Sequence, residues 1–247
     1  MISVWKRFIS RFNNTSVFAV LLIFLIFLFL AISLDVSFPD IFRIKISAHR
    51  LLSDILITFL RVSITTLCAW VCGIVVGYYL FQSNVLKNLL LPTINLIRHI
   101  SPFAWLPFAI IWFGLGEPSI FFVMFITLFF PTVIAVSEFF STIPGEYIDE
   151  AQVCGASRSQ LFFQIELPLI LNNLLNLLRV IWGLGWSVIV AAEMLGVNSG
   201  LGFRLLDFRY LLKYPEMLVY LLVMGILGIL FDKFLFFLIK SYQKKTC

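Results

Sequence analysis

Long apolar runs without charged side chains constrain this sequence more than any other feature. Residues 16–33 form the first such run, and it contains no charge. A helix needs about 20 apolar residues to cross the hydrocarbon core of a bilayer. A signal peptide is the alternative, but its apolar region is shorter and a small-residue cleavage site follows it, which is absent here. The run therefore predicts an uncleaved membrane span.

Further apolar stretches follow along the chain, at residues 55–81, 96–115, 119–140, 171–195 and 217–239. The chain is 61% hydrophobic and 13% charged, whereas a soluble domain has about 25% charged residues. This composition excludes a disordered chain, a nucleic-acid-binding domain and most soluble enzymes. It predicts an all-α, polytopic membrane protein with six transmembrane helices. Residues 1–50 hold the first span, and residues 51–247 form a core with five.

Basic residues at the two ends predict the orientation. The flanking residues are Lys6, Arg7 and Arg11 before the first span, and Lys240, Lys244 and Lys245 after the last. Basic residues flanking membrane spans favour the cytoplasmic side, so we expect both termini in the cytoplasm. The net charge of +5 then reflects topology and does not indicate a nucleic-acid partner. Residues 141–170 become a cytoplasmic loop between the fourth and fifth spans.

This loop reads as two short helices joined by a sharp turn. Pro144 suits a first helical turn, where a missing N–H costs nothing. Gly155 can adopt left-handed backbone angles and end the first helix. Ser157 and Gln160 form a capping box that starts the second helix, which we expect Pro168 to end. The loop is thus a rigid elbow with acidic residues near the start of its first helix, namely Glu146, Asp149 and Glu150.

The spacing in the loop also resembles that of a known family, the membrane subunits of bacterial ATP-binding-cassette importers. Their motif is E-A-A, three residues, G, nine residues, I, one residue, L-P. The matching positions here are Asp149, Glu150, Ala151, Gly155, Ile165, Leu167 and Pro168. Asp for the first Glu and Glu for the first Ala are the departures. The resemblance implies that the loop couples to an ATPase through Glu146, Asp149, Glu150, Ala151, Gly155, Ala156, Ser157, Arg158, Ile165, Leu167 and Pro168.

Three other segments narrow the resemblance. They are SPFAWLPFAIIWFGLGE at 101–117, AAEMLG at 191–196 and SGLGF at 199–203. They look like the nitrate, sulfonate, taurine and bicarbonate branch of these permeases. The likeness covers about residues 51–237 and implies a type I ABC importer permease fold in the bacterial inner membrane. It implies a small oxyanion as the solute, with a thiamine-precursor-like or other organic solute as the alternative.

The resemblance also implies the partners and the mechanism. The chain has no phosphate-binding loop of the G-x-x-x-x-G-K-[ST] type, so ATP hydrolysis is expected on a separate subunit. The implied partners are cytoplasmic ATPase subunits, an extracytoplasmic solute-binding protein, a second permease copy and the lipid bilayer, and the implied mechanism is alternating access. We expect no cofactor and no metal site. A stand-alone secondary transporter and an intramembrane enzyme are the rival readings, but we find neither an internal repeat nor clustered catalytic groups.

Charged residues within the apolar runs are the candidate path residues, because a charge at the bilayer centre is costly. We advance the hypothesis that Arg179 lines the translocation path. The alternative is that Arg61 and Arg179 cap carbonyls or extend to an interface. For Glu193 we favour a structural pairing with Arg204 or Arg209 over a gating role, since a carboxylate on the wall would repel an anion.

Small residues and prolines predict how the spans pack. Glycines recur within three spans, at Gly73 and Gly77, Gly183 and Gly185, and Gly225 and Gly228. Small residues let membrane helices approach closely, so we expect helix contacts there. Broken or kinked helices are expected around the third and fourth spans, which carry Pro92, Pro102, Pro107 and Pro131.

Overall fold

The computed structural model describes residues 46–246, and the predicted first span at 16–33 lies outside them. The described part of the chain is helical and contains no strand. Its elements are α1 (Ala48–Gln82), α2 (Asn84–His99), α3 (Pro102–Phe113), α4 (Glu117–Ser141), α5 (Gly145–Val153), α6 (Arg158–Leu161), a π-helical turn (Phe162–Glu166), α7 (Leu167–Gly196), α8 (Leu201–Tyr210) and α9 (Tyr214–Thr246).

Within residues 46–246, four helical stretches are long and apolar enough to cross a membrane. They are Ala48–Gln82, Glu117–Ser141, Arg158–Met194 and Tyr214–Gln243, and they confirm the apolar helices predicted at 55–81, 119–140, 171–195 and 217–239. The all-α, polytopic fold class is therefore confirmed for this part of the chain.

The predicted third span, residues 96–115, is broken, as its prolines led us to expect. The axes of α2 and α3 meet at 96°, so the pair forms one strongly bent span at most. The break falls at Ile100 and Ser101, immediately before Pro102. A proline disfavours helical angles at the residue before it, and Ser101 accordingly has ψ 135°. The expected break at Pro102 is confirmed.

Helices α1 and α4 approach closely where α1 carries glycine. A Cβ atom on Gly73 would lie 2.8 Å from Cβ of Thr132, and one on Gly77 would lie 2.8 Å from the carbonyl oxygen of Val133. Both distances are too short for a real side chain, so only glycine fits. The contact predicted from these residues is confirmed.

The other predicted glycine contacts are confirmed at two positions and not at two others. A Cβ on Gly185 would lie 3.2 Å from Oγ1 of Thr66, and one on Gly228 would lie 2.9 Å from Nε1 of Trp186. Gly183 and Gly225 meet no side chain of the described residues within 4 Å. Each of these glycines lies on a helix face turned away from the neighbouring helices of the described chain.

The α1–α4 contact yields a stability prediction. We expect Gly73→Leu to lower the free energy of unfolding by about 1–3 kcal/mol, because the larger side chain would force α1 away from Thr132. Gly225→Leu is the matched control, since it makes the same change on an open helix face. Denaturant titration of the detergent-solubilised protein measures both. Equal losses in the two variants would contradict the close approach.

Candidate functional site

The predicted elbow is present, and its first helix is free of tertiary packing. Helix α5 has no buried residue, and Glu146, Asp149 and Glu150 are all exposed. Two large apolar side chains on the same helix, Tyr147 and Val153, are exposed as well. The helix thus offers acidic and apolar groups together on a free surface.

A glycine turn fixes the direction in which α5 ends. Gly155 has φ +78°, in the left-handed region that favours glycine. The amide of Gly155 donates to the carbonyl of Gln152, and the amide of Ala156 donates to the carbonyl of Ala151. These two hydrogen bonds are the Schellman arrangement that closes a helix C-terminus. The predicted role of Gly155 as a helix stop is confirmed.

The second half of the elbow starts as predicted and ends differently. The Ser157 amide donates to Oε1 of Gln160 at 2.8 Å, which completes the capping box. The prediction that Pro168 ends this helix was wrong, because a π-helical turn at Phe162–Glu166 joins α6 to α7. Proline lacks an N–H and its ring clashes with the carbonyl four residues back, and the wider π turn relieves that clash. The elbow therefore continues into a single rod, Arg158–Met194.

The base of this rod packs into the bundle. Phe162 and Leu167 contact a buried apolar cluster made by Val136, Phe140, Ile170 and Leu174. Trp70 of α1 donates through Nε1 to the carbonyl of Leu174 at 3.1 Å. The base of the rod is thus attached to α1 and α4 by apolar packing and a hydrogen bond.

At the opposite end of α7, Arg61 is the centre of a buried polar cluster. Its Nη1 donates to Oε1 of Glu193 at 2.7 Å and to the carbonyl of Ser199 at 2.9 Å. Its Nε and Nη2 donate to the two carboxylate oxygens of Glu117, at 2.8 Å and 2.5 Å. Nη2 also donates to Oγ of Ser199 at 2.8 Å. One guanidinium thus ties α1, α4, α7 and the turn before α8.

Glu193 is completely buried and its oxygens have several donors. The hydroxyl of Thr58 donates to them at 2.9 Å and 3.0 Å, and the amide of Gly202 donates at 2.9 Å. The cation beside it is Arg61, so Arg204 and Arg209 were wrong as its predicted partners. A buried carboxylate held by this many donors has a well-defined position.

The glycines of the SGLGF segment make room for this carboxylate. Gly200 has φ +101°, and a Cβ there would lie 2.5 Å from Cδ of Glu193. A Cβ on Gly202 would lie 3.0 Å from Cβ of Glu193. Larger residues at either position would therefore displace Glu193 from Arg61.

A second ion pair lies beside the first. Nε of Arg204 donates to Oδ2 of Asp54 at 3.0 Å, and the Tyr220 hydroxyl donates to the same oxygen at 3.2 Å. Burial disfavours the charge of Arg204, but the hydrogen bond and attraction from Asp54 outweigh this, so the pKa of Arg204 is raised above its ordinary value. Arg204 therefore stays charged and links α8 to α1, while Arg209 is exposed.

Arg179 is separate from this cluster and also has a carboxylate partner. Its Nε and Nη2 donate to Oδ1 and Oδ2 of Asp232 at 2.6 Å and 2.5 Å. Its guanidinium also lies 4.9 Å from the ring centre of Phe236. The pair joins α7 to α9, and the role of Arg179 on a translocation path stays a prediction.

Sequence reasoning missed the carboxylates of Asp54 and Glu117 and the hydroxyls of Thr58, Ser199 and Tyr220. One signal was available, because Asp54, Thr58, Arg61 and Thr65 recur at helical spacing on one face of α1. All of them are buried. A polar face within an apolar helix indicates partners on neighbouring helices.

The Arg61 cluster yields a second stability prediction. We expect Arg61→Gln to cost about 3–5 kcal/mol of unfolding free energy, because it leaves the Glu193 carboxylate buried without a cation. Adding Glu193→Gln should recover part of the loss, since the buried charge is then removed. Arg209→Gln, at an exposed arginine, is the control and should change stability by less than about 0.5 kcal/mol. No recovery in the double variant would contradict the pairing.

Comparisons with known proteins identify relatives of this chain. The nitrate import permease protein NrtB of Synechocystis sp. is 36% identical over 178 residues, which cover 72% of this chain and 65% of the relative. The taurine transport system permease protein TauC of Escherichia coli is 33% identical, over 70% of this chain and 62% of the relative. The bicarbonate transport system permease protein CmpB of Synechococcus elongatus is 33% identical, over 67% and 60%. The chain thus spans less than two thirds of the length of these relatives.

Solved structures share the fold at low sequence identity. The MetNI methionine ABC transporter, in inward-facing conformations, matches with a TM-score of 0.69 and 18% identity, over 78% of this chain and 96% of that chain. A bacterial alginate ABC transporter matches with a TM-score of 0.65 and 14% identity, over 92% and 94%. The fold is thus that of ABC importer permeases. A family model matches residues 69–246, and the chain belongs to that family, the binding-protein-dependent transport system inner membrane components.

Proposed function

We propose that this protein is the permease subunit of an ATP-driven importer that moves a small oxyanion across the inner membrane by alternating access. The relatives named for nitrate, taurine and bicarbonate import support the solute class. An organic solute resembling a thiamine precursor is the second candidate, on the resemblance of the sequence alone.

The elbow is the single observation that carries this proposal. It presents an unpacked helix, α5, whose direction is fixed by Gly155 and whose continuation is the rod Arg158–Met194. A soluble ATPase needs an exposed helix of this kind to bind, because force applied to α5 then reaches the far end of α7. A stand-alone secondary transporter has no need of it.

Membership of the family of binding-protein-dependent transport components supports the rest of the proposed transporter. ATP hydrolysis takes place on two separate cytoplasmic subunits, each contacting an elbow, and two copies of this chain form the path. Closure of the ATPases brings the elbows together and switches the path between its inward-facing and outward-facing states. A solute-binding protein delivers the solute from outside, and both termini of the permease lie in the cytoplasm.

Within the spans, Arg179 and Glu193 keep different proposed roles. Arg179 is about half-way along α7, and we place it on the path, where its pairing with Asp232 would have to open during transport. Glu193 is held by Arg61, Thr58 and Gly202 and is fully buried. These contacts support a structural role for Glu193 and not a gating role.

The elbow assignment yields a third prediction. Gly155→Pro should reduce the amount of ATPase that co-purifies with the permease by at least about tenfold, because proline cannot adopt φ +78° and has no N–H for the Gln152 carbonyl. Gly145→Ala is the matched control. Gly145 also lies in the elbow with open space around it, but its backbone suits any residue. We expect wild-type yields of ATPase and wild-type solute uptake in this control.

The same experiment separates the rival functions. The unaltered chain should bring down an ATPase, and ATP hydrolysis by the complex in proteoliposomes should rise when the solute-binding protein is added. Solute uptake by the purified chain alone, driven by an ion gradient, would indicate a secondary transporter. Normal assembly and transport by Gly155→Pro would reject the elbow as the ATPase contact.

A further inference from the structure

We propose that Arg61 is a binding site for the oxyanionic solute, and that the carboxylate of Glu117 occupies this site when no solute is bound. This inference rests on the proposed function, because it takes the solute to be an oxyanion. It adds the residue that binds the solute and the internal group with which the solute competes.

The geometry of the Arg61–Glu117 pair is that of an arginine holding an oxyanion. The two carboxylate oxygens lie 2.8 Å from Nε and 2.5 Å from Nη2, along one edge of the guanidinium. Nitrate, bicarbonate and sulfonate groups also present two oxygens to such an edge. Oγ of Ser199, 2.8 Å from Nη2, lies next to the same position and can donate to a bound anion.

The two carboxylates on Arg61 differ in how easily they can leave. The Glu193 side chain is 0% exposed and also accepts from Thr58 and the Gly202 amide. The Glu117 side chain is 64% exposed, so it can be hydrated once it leaves the guanidinium. Glu117 is therefore the exchangeable partner, and Glu193 is the fixed counter-ion that keeps Arg61 in place.

Two cavities adjoin the side of Arg61 on which Glu117 lies. A cavity of about 550 Å³ is lined by Glu117, Asn198 and Ser199. A second cavity, of about 300 Å³, is lined by Arg61, Glu117 and Thr65 together with apolar residues of α1 and α4. Glu117 belongs to both linings, so a rotation of its side chain would open the guanidinium edge to the larger cavity. A small oxyanion fits within either volume.

The exchange leaves unchanged the total charge of the groups in contact with the Arg61 guanidinium. Arg61, Glu117 and Glu193 together carry one negative charge, and a monoanion in place of the Glu117 carboxylate restores the same sum at the guanidinium. The buried pair of Arg61 and Glu193 stays intact throughout. The site can thus accept and release an anion without leaving a buried charge unpaired.

Nitrate binding to the complete transporter in detergent, measured by calorimetry with sodium nitrate, tests this inference. We expect Glu117→Gln to bind nitrate about tenfold more tightly than the unaltered protein, because removal of the competing carboxylate raises the fraction of open sites. Glu138→Gln is the matched control, as it neutralises an exposed carboxylate near the other end of α4, and its affinity should be unchanged.

The role of Arg61 in binding the anion is tested separately. In Arg61→Gln with Glu193→Gln, which removes the cation together with its buried counter-ion, we expect nitrate binding to weaken at least about tenfold. Arg61→Lys keeps the charge but lacks the two-nitrogen edge of a guanidinium, and we expect the same weakening of nitrate binding. This variant replaces the double variant in the test if the double variant does not fold. Equal nitrate affinity in the unaltered protein and Glu117→Gln, or full affinity in either Arg61 variant, would overturn the inference.

The same preparations distinguish this inference from the proposed function. Co-purification of the ATPase and its stimulation by the solute-binding protein report the permease function without reference to nitrate. If the ATPase co-purifies and is stimulated, but the substitutions at Glu117 and Arg61 leave the nitrate affinity unchanged, the anion site is rejected and the permease function stands. If the ATPase is absent, the permease function is rejected, and the same nitrate titration on the purified chain alone decides whether Arg61 binds an anion.

Discussion

The buried ion pair between Arg61 and Glu193 is the interaction on which the arrangement of this bundle depends. In the apolar interior of a membrane protein, a charge without a partner is far more costly than one that is paired and hydrogen-bonded. Arg61 lies on α1 and Glu193 lies near the end of α7, so the requirement to pair them fixes the relative positions of these two helices. Glu117 and Ser199 add α4 and the turn before α8 to the same guanidinium.

The pair also explains features that otherwise look unrelated. The left-handed turn at Gly200 and the glycine at 202 are needed because Glu193 packs directly against both. The polar face of α1 is needed because Asp54 and Thr58 supply the neighbouring contacts with Arg204, Glu193 and the amide of Leu201. Close packing at Gly73 and Gly77 stabilises the part of the α1–α4 interface that lies away from Arg61.

The two ends of α7 have different tasks in this structure. One end carries Glu193 and is fixed by buried hydrogen bonds, and the other continues through the π turn into an exposed elbow. A rigid rod with an exposed handle at one end and a charged cluster at the other can link events at the two faces of a membrane. The proposed ATP-coupled function depends on this link. The proposed anion site lies where the rod meets α1 and α4.

Much of the fold could be predicted from the sequence because its signals are local. Apolar length gave the long helices, Gly155 gave the turn, and Ser157 with Gln160 gave the capping box, since each depends on near neighbours in the chain. The break before Pro102 was expected for the same reason. The end predicted at Pro168 was wrong because a π turn, which no local pattern of residues specifies uniquely, accommodates a proline inside a continuous helix.

The sequence by itself determined that this chain is an all-α membrane protein with an exposed elbow, because hydrophobic length and backbone preference act over a few residues. Only the tertiary structure decided which charges meet. Glu193 pairs with Arg61, 132 positions away in the chain, and not with the nearby Arg204, because helix packing brings distant turns together. Arg204 instead binds Asp54, 150 positions away. The partners of buried charges are thus set by three-dimensional proximity, which no spacing in the sequence records.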